Sequence, residues 1–166
     1  MADLPLIEAV GMTKEFSGVR VLNNVNVSVA PGEIFGVIGE NGAGKSTFMK
    51  ILSGIYYPTS GHVMLEGKKV DVKNPTAAKA LGISMVPQEF NLVDSLTVFE
   101  NVFLGYEKTR GPLLNKAEMR DRTKKILSEL ETDIDPDSTI VTLSVAQKQM
   151  VEIAKALVHD SNILIM

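Results

Sequence analysis

The stretch GENGAGKST, residues 39–47, matches the phosphate-loop pattern G-x-x-x-x-G-K-[ST]. Its glycines leave room for backbone N–H groups to turn inward around phosphates. A helix that starts at Lys45 would aim the positive end of its dipole at the same place. We therefore predict nucleotide binding here, with Lys45 neutralising the β- and γ-phosphates and the Ser46 hydroxyl binding Mg²⁺. The predicted cofactor-binding residues are the whole loop: Gly39, Glu40, Asn41, Gly42, Ala43, Gly44, Lys45, Ser46 and Thr47.

The segments around this loop indicate an α/β protein. The apolar run EIFGVIG, residues 33–39, predicts a short strand that enters the loop, and residues 45–52 predict a helix closed by Gly54. Residues 6–13 and 19–29 alternate in polarity and are rich in β-branched side chains, which is typical of antiparallel strands. The remaining elements predicted for this half are a hairpin over 61–70 that turns near Glu66 and Gly67, a short helix over 76–81 and a strand over 83–88.

From residue 91 the sequence favours helices. Thr97 and Glu100 fit a capping box, and Asn115 is placed to cap a long charged helix. Ser144 is placed to cap a further helix that runs through Val158. The chain then enters SNILIM, residues 161–166, whose four apolar residues predict a buried strand.

Composition limits the classes of function. The chain has 166 residues, of which 45% are hydrophobic and 22% charged, as in an ordinary globular domain. A net charge of −3 gives no basic field, so we expect no nucleic-acid partner. The absence of cysteine excludes disulfides and cysteine metal sites. No apolar run approaches the ~18 residues of a membrane span, so any membrane role is expected to come through a partner.

A second motif lies about a hundred residues after the phosphate loop, in LSVAQKQMVEIAKAL, residues 143–157. Together with the loop, it resembles the ATP-binding subunit of ABC transporters, whose signature reads LSGGQ followed by a helix. Leu143, Ser144 and Gln147 match the signature, whereas Val145 and Ala146 replace its two glycines. The replacement adds Cβ atoms where the backbone of the family approaches phosphate, which puts in doubt how closely this motif can approach ATP.

Other segments agree with this resemblance in the order of the family. Gln88, in MVPQEF, stands at the glutamine of the Q-loop, and Phe16, in KEFSGV, stands where an aromatic ring stacks on adenine. The resemblance implies that Gln88 is catalytic, binding Mg²⁺ or orienting water. It also implies that Ser144 and Gln147 contact the ATP of a second nucleotide-binding domain, paired head to tail. From the residues alone, Gln88 could be a solvated loop residue, Phe16 could fill a sheet edge, and Ser144 could be a helix cap only.

The resemblance implies a P-loop NTPase of the ABC type, with a RecA-like core, an antiparallel β-subdomain and a helical subdomain. We place the core and β-subdomain at residues 1–90 and 158–166, and the helical subdomain at 91–157. Residues 163–166 would be the Walker B strand, whose following acids hold the Mg²⁺ shell and polarise water in the family. Those acids are not among the 166 residues. We therefore expect a fold incomplete at its C-terminus, which binds ATP and hydrolyses it negligibly.

The signature region looks most similar to the first nucleotide-binding half of monosaccharide importers of the ribose, galactose and xylose type. This implies ATP and Mg²⁺ as cofactors, a membrane permease as partner and, indirectly, a sugar-binding protein. It also implies a peripheral position on the cytoplasmic face of the membrane. Two alternatives stay open at this point: a short non-catalytic nucleotide-binding or interaction module, and a different P-loop enzyme such as a small kinase.

Overall fold

An antiparallel sheet of four strands organises the first half of the chain. Its strands, in the spatial order β2-β1-β3-β4, are β1 (Ile7–Phe16), β2 (Val19–Val29), β3 (Ser60–Leu65) and β4 (Lys68–Val70). β1 pairs with β2 from Ile7 opposite Val29 to Phe16 opposite Val19. Ile7 and Ala9 of β1 are both buried because successive side chains of a strand point to opposite faces, and a register shift separates them from the buried Met12. The predicted antiparallel strands are confirmed.

The computed structural model describes residues 4–158 and 161–166. These residues divide into two compact units, Met1–Ile83 and Ser84–Met166. The predicted core and helical subdomain, 1–90 with 158–166 and 91–157, stay a prediction. Residues 1–3, 159 and 160, which the core range includes, lie outside the described residues.

Two helices pack in the first unit. Helix α1 (Lys45–Leu52) follows the phosphate loop and buries Phe48, Ile51 and Leu52. It ends as predicted before Gly54, which has the left-handed φ of 74°. Helix α2 (Pro75–Ala80) begins with a hydrogen bond from the Ala77 N–H to the Asn74 side chain.

The β3–β4 hairpin turns at Glu66 and Gly67, as predicted. Both residues have positive φ angles, 48° and 73°, as a two-residue type I′ turn requires. The strand β5 (Ile83–Met85) begins as predicted but is shorter than the expected 83–88.

The strand predicted over residues 33–39 is wrong. Among the described residues this segment joins no sheet, and the side chains of Ile34 and Ile38 are 100% and 97% exposed. An apolar run becomes a strand only where a neighbouring strand accepts and donates its backbone hydrogen bonds. Phe35, Val37 and Ile38 line a cavity of about 300 Å³ next to β2.

The second unit is built on helices, in agreement with the change of pattern after residue 91. Its elements are α3 (Val98–Val102), the short strands β6 (Thr109–Arg110) and β7 (Leu113–Leu114), α4 (Lys116–Glu129), a 3-10 helix (Ile140–Thr142), α5 (Val145–Leu157) and β8 (Ile163–Ile165). The hairpin of β6 and β7 was not predicted. β8 forms as expected and is hydrogen-bonded to β5 in a two-stranded sheet.

One apolar core joins the helices of the second unit. Completely buried side chains on α3, α4 and α5 meet there, such as Val102, Met119 and Val151. Burying a large aliphatic side chain stabilises a fold by about 1.5–3 kcal/mol, so this cluster is the main source of stability for the unit. No helix within the described ranges is long and apolar enough to cross a membrane.

The three predicted caps of this unit are present. Glu100 N–H donates to the Thr97 hydroxyl while the Glu100 carboxylate accepts from the Thr97 N–H, which is the predicted capping box. Asn115 caps α4 by accepting from the Glu118 N–H, and Ser144 caps α5 by accepting from the Gln147 N–H. The helices and strands of the two units together confirm the predicted α/β fold class.

Candidate functional site

The phosphate loop turns sharply between residue 39 and the start of α1. Gly42 and Gly44 have φ angles of 87° and 88°, a left-handed conformation that favours glycine. The Ala43 N–H donates to the Glu40 carbonyl at 3.2 Å, which closes the turn. The backbone therefore adopts at these positions the conformation that the glycine pattern predicts.

The start of α1 offers backbone N–H groups to a ligand. The first intrahelical bond runs from the Phe48 N–H to the Gly44 carbonyl, at 2.9 Å. The N–H groups of Lys45, Ser46 and Thr47 precede that bond and have no partner inside the helix. Within the described residues no side chain caps this helix, and its first turn carries no acidic residue. An uncapped, acid-free helix start fits a phosphate.

Gly44 lies tightly against β2. A Cβ atom built on Gly44 would stand 2.7 Å from Leu22 Cδ2 and 2.8 Å from the Val21 carbonyl oxygen. Both distances are shorter than atoms of these types tolerate, so only glycine fits here without a shift of backbone. Gly42, in contrast, has open space around the position of a Cβ. The antiparallel sheet thus sets the position of the loop through Gly44.

Lys45 is folded back onto its own loop. Its ammonium donates to the Gly39 carbonyl at 2.6 Å and to the Glu40 carbonyl at 2.8 Å. A phosphate oxygen is a stronger acceptor for an ammonium than a neutral carbonyl. The lysine is therefore held where a phosphate in the loop could take over its hydrogen bonds.

The other loop residues differ in their exposure. Ser46 and the tip of the loop (Glu40, Asn41, Gly42 and Ala43) are exposed, whereas Thr47 is half-buried and Gly44 is buried. The exposed Ser46 hydroxyl lies in the first turn of α1, beside the same free N–H groups. Mg²⁺ prefers hard oxygen ligands and keeps several waters and phosphate oxygens around it. A single exposed hydroxyl at a phosphate site fits that requirement.

Phe16 is the last residue of β1 and belongs to the same unit as the phosphate loop. Its ring packs edge-on against Tyr56, with ring centres 5.3 Å apart, and the Lys14 ammonium lies 4.8 Å from the ring centre. The side chain is 37% exposed, so it is not a core residue. A ring that is anchored by a second aromatic and still exposed can stack on a base.

Gln88 lies in the second unit, in a bend after β5, and is exposed. An exposed amide oxygen can bind Mg²⁺ or orient water. Within the described residues no group of three or more His, Cys, Asp or Glu side chains could hold a metal ion by itself. Ser46 and Gln88 therefore stay predicted partial ligands of a metal held mainly by phosphate and water.

Ser144 begins α5 with a capping box that includes Gln147. The Gln147 N–H donates to Ser144 Oγ at 3.3 Å, and Gln147 Oε1 accepts from the Ser144 N–H at 2.9 Å and lies 3.0 Å from Ser144 Oγ. The cap function of Ser144 is confirmed. The role of both residues toward ATP stays a prediction. Gln147 also completes the cap, as the capping-box pattern of Ser144 with a glutamine three residues later allows, although this contact was not predicted.

Glu152 is a buried acid that sequence reasoning missed. It lies on α5 with 4% exposure, and its carboxylate accepts a hydrogen bond from the Asn91 N–H. A glutamate within a helix is usually exposed, so the helical pattern gave no signal for this contact. The structure places Ala156, one turn further along, on the same buried face.

The structure thus places the predicted site residues in two groups. Phe16 and residues 39–47 belong to the first unit, and Gln88, Ser144 and Gln147 belong to the second.

The comparisons with known proteins point in one direction. Residues 22–166 match the family described as ABC transporter. The chain is 47% identical over 161 residues to a putative ribose/galactose/methyl galactoside import ATP-binding protein of Agrobacterium fabrum, covering 97% of this chain and 32% of that protein. It is 44% identical over 164 residues to the ribose import ATP-binding protein RbsA of Clostridium perfringens, covering 98% of this chain and 33% of the relative. The chain thus spans about a third of the length of these curated relatives.

Solved structures show the same fold. A nucleotide-free ATP-binding cassette from an ABC transporter superposes with a TM-score of 0.84 at 26% identity, covering 96% of this chain and 67% of the cassette. A dimeric bacterial ABC transporter cassette superposes with a TM-score of 0.77 at 31% identity, covering 95% of this chain and 72% of that one.

Proposed function

The chain belongs to the ABC transporter family, and on this premise we propose that it is the ATP-binding portion of a subunit that energises sugar import through a membrane permease. The observation that carries the proposal is the phosphate loop. Its left-handed glycines, the uncapped start of α1 and the folded-back Lys45 together make a site that suits a phosphate anion.

The assignment to sugar import rests on the two curated relatives. Both are import ATP-binding proteins, one for ribose and one for ribose, galactose or methyl galactoside. Identity of 44–47% extends over nearly all of this chain, including the LSVAQ signature region. The chain spans about a third of the length of each relative, and transport is proposed for the whole protein.

ATP binding is assigned to residues of the first unit. The N–H groups at the start of α1 and the Lys45 ammonium would hold the phosphates, and the Ser46 hydroxyl would supply one oxygen ligand for Mg²⁺. Phe16 would stack on the adenine through the ring face away from Lys14. When bound, Mg²⁺ supplies positive charge that offsets the negative charge of the β- and γ-phosphates. Gln88 would add an amide oxygen to the metal or to the attacking water.

A second nucleotide-binding domain and a permease are the proposed partners. The dimeric cassette among the solved relatives supports pairing of two domains. In a head-to-tail pair, Ser144 would present its hydroxyl at the start of α5 to the ATP of the partner domain. Val145 is 70% exposed, so its side chain would meet that ATP first, where the family has glycine. We place the assembly on the cytoplasmic face of the membrane, with a sugar-binding protein as an indirect partner.

A polypeptide of these 166 residues is proposed to bind ATP with little turnover. The acids that the family places after the Walker B strand are not among them. Removal of a general base alone slows a reaction by about 10²–10⁴-fold. Family membership removes the small kinase as an alternative. A short module that binds nucleotide without turnover is distinguished by whether it also assembles with a permease.

Calorimetric titration with MgATP tests the proposal. The parent chain is expected to bind, and Lys45→Ala is expected to lose at least about tenfold in affinity, since a charge-assisted hydrogen bond to phosphate contributes roughly 1.5–3 kcal/mol. Lys68→Ala is the matched control, because Lys68 is an exposed lysine of the same unit that lies on β4 and not in the phosphate loop. Equal affinities for the parent and Lys45→Ala would contradict the proposal.

A further inference from the structure

The loop that carries Gln88, residues 86–91, is fixed at both of its ends within the second unit. We propose that Glu152 positions Gln88 by fixing the second end to α5. The inference rests on the proposed function, because it assigns Gln88 a role toward Mg²⁺ and ATP.

The first end of the loop is attached to β8. The Val86 N–H donates to the Ile165 carbonyl at 2.8 Å, directly after the paired strands β5 and β8. Val86 is buried, with 7% exposure. Val86 is therefore attached to the small sheet that it follows.

The second end is attached to α5 by two side chains. The Asn91 N–H donates to Glu152 Oε1, and the Asn91 carbonyl accepts from the Lys155 ammonium at 3.0 Å. A third side chain of the helix, Lys148, donates to Asp94 at 3.1 Å. Residues 148, 152 and 155 are spaced by four and three positions, so they share one face of the helix. This face holds residues 91–94 as one segment.

Glu152 is the buried member of that face. A buried carboxylate is costly unless it is hydrogen-bonded, and the bond to Asn91 supplies its partner. Because the acceptor is charged, this bond is among the stronger kinds in proteins. Loss of Glu152 therefore releases the Asn91 N–H, whereas loss of the exposed pair between Lys148 and Asp94 changes little.

Gln88 lies between the two fixed ends, two residues from Val86 and three from Asn91. With both ends held, its exposed side chain is confined to a narrow range of positions. Without the Glu152 contact, only the Lys155 and Lys148 side chains still attach this end to α5. The Gln88 side chain then samples more positions, and an oxygen ligand that must be ordered on binding binds more weakly. Partners that orient a metal ligand typically change metal affinity by about 10- to 100-fold.

Amide hydrogen exchange tests the attachment without any ligand. In Glu152→Ala we expect the Asn91 amide to exchange at least about tenfold faster than in the parent, because a charge-assisted hydrogen bond is lost. Glu152→Gln keeps an acceptor oxygen and should restore most of the protection. Val151→Ala is the matched control, because Val151 is the buried neighbour on the same helix and belongs to the apolar core. Unchanged Asn91 exchange in Glu152→Ala would overturn the proposal.

ATP titrations with and without Mg²⁺ test the role in positioning. The measured quantity is the ratio of the two affinities, which a general loss of stability does not change. Glu152→Ala should reduce this ratio by about tenfold, Glu152→Gln by less, and Val151→Ala not at all. If Glu152 acts through Gln88, adding Glu152→Ala to Gln88→Ala should cause no further reduction.

The outcomes separate this inference from the proposed function. A normal ratio in Glu152→Ala, or a further reduction in the double variant, would overturn the positioning role while ATP binding stands. A parent chain that binds no ATP would overturn the proposed function and the positioning role with it, whatever the exchange of Asn91 shows.

Discussion

Alanine at Gly44 tests whether the phosphate loop is built as the structure describes. Gly44 has a φ of 88°, and a Cβ there would approach Leu22 Cδ2 to 2.7 Å and the Val21 carbonyl to 2.8 Å. Gly42 is the matched control. It has a φ of 87° in the same loop, but nothing lies within 4 Å of the position of its Cβ.

Both substitutions force an alanine into a left-handed backbone conformation, and only Gly44→Ala also creates contacts that are too short. The left-handed conformation costs an alanine about 1–2 kcal/mol at either position. The forced contacts at Gly44 add about 1–3 kcal/mol, as in other overpacked sites. Gly42→Ala should therefore lower the free energy of unfolding by about 1–2 kcal/mol, and Gly44→Ala by about 2–5 kcal/mol.

Urea unfolding of the two variants and the parent measures this difference. With a slope of about 1–3 kcal/mol per molar urea, the extra cost moves the midpoint of Gly44→Ala below that of Gly42→Ala by roughly 1 M. The ATP affinity of Gly44→Ala should also fall further, because its loop must shift away from β2. Equal midpoints for the two variants would refute the described packing of the loop.

Two further substitutions test other parts of the account. Phe16→Ala should weaken MgATP binding roughly fivefold, since stacking on a ring contributes on the order of 1 kcal/mol. Val19→Ala, which alters the exposed partner of Phe16 in the β1–β2 pair, should leave the affinity unchanged, and equal affinities for the parent and Phe16→Ala would refute stacking. The hydrogen bond from the Thr97 N–H, and after it Lys116, hold the pKa of Glu100 below its ordinary value of 4.5. A lowered carboxyl pKa contributes stability that is present above 4.5 and is lost as the pH falls through the folded pKa, so Glu100→Gln should flatten the acid dependence of unfolding below about pH 4.5. Unfolding of the parent and Glu100→Gln that changes equally between about pH 6 and pH 3 would contradict this assignment.

Local signals predicted much of the fold. Helix caps are short-range, because Thr97, Asn115 and Ser144 each bond to a backbone N–H three residues later. The β3–β4 turn depends on two adjacent residues with positive φ, which Glu66-Gly67 indicates directly. The phosphate loop is likewise a contiguous pattern, so its position and the helix that follows it could be predicted from the local sequence.

Features that depend on distant parts of the chain could not be predicted in this way. Residues 33–39 have the composition of a strand, yet a strand needs a neighbour, and the local sequence does not say whether one is present. The contact of Glu152 with Asn91 joins residues 61 positions apart, and the sequence around a helical glutamate does not indicate such a distant partner. The hairpin of β6 and β7 has only two residues in each strand, too few for an alternating pattern.

The most direct test of the central claim is an amide NMR titration of the 166-residue chain with MgATP, and with adenosine as the probe that lacks phosphates. The claim is that the phosphates bind at the start of α1, on the N–H groups of residues 45–47. We predict that MgATP shifts the amide signals of residues 42–47 most strongly and that adenosine leaves them nearly unchanged. Largest shifts outside residues 39–47, or equal shifts with adenosine, would contradict it.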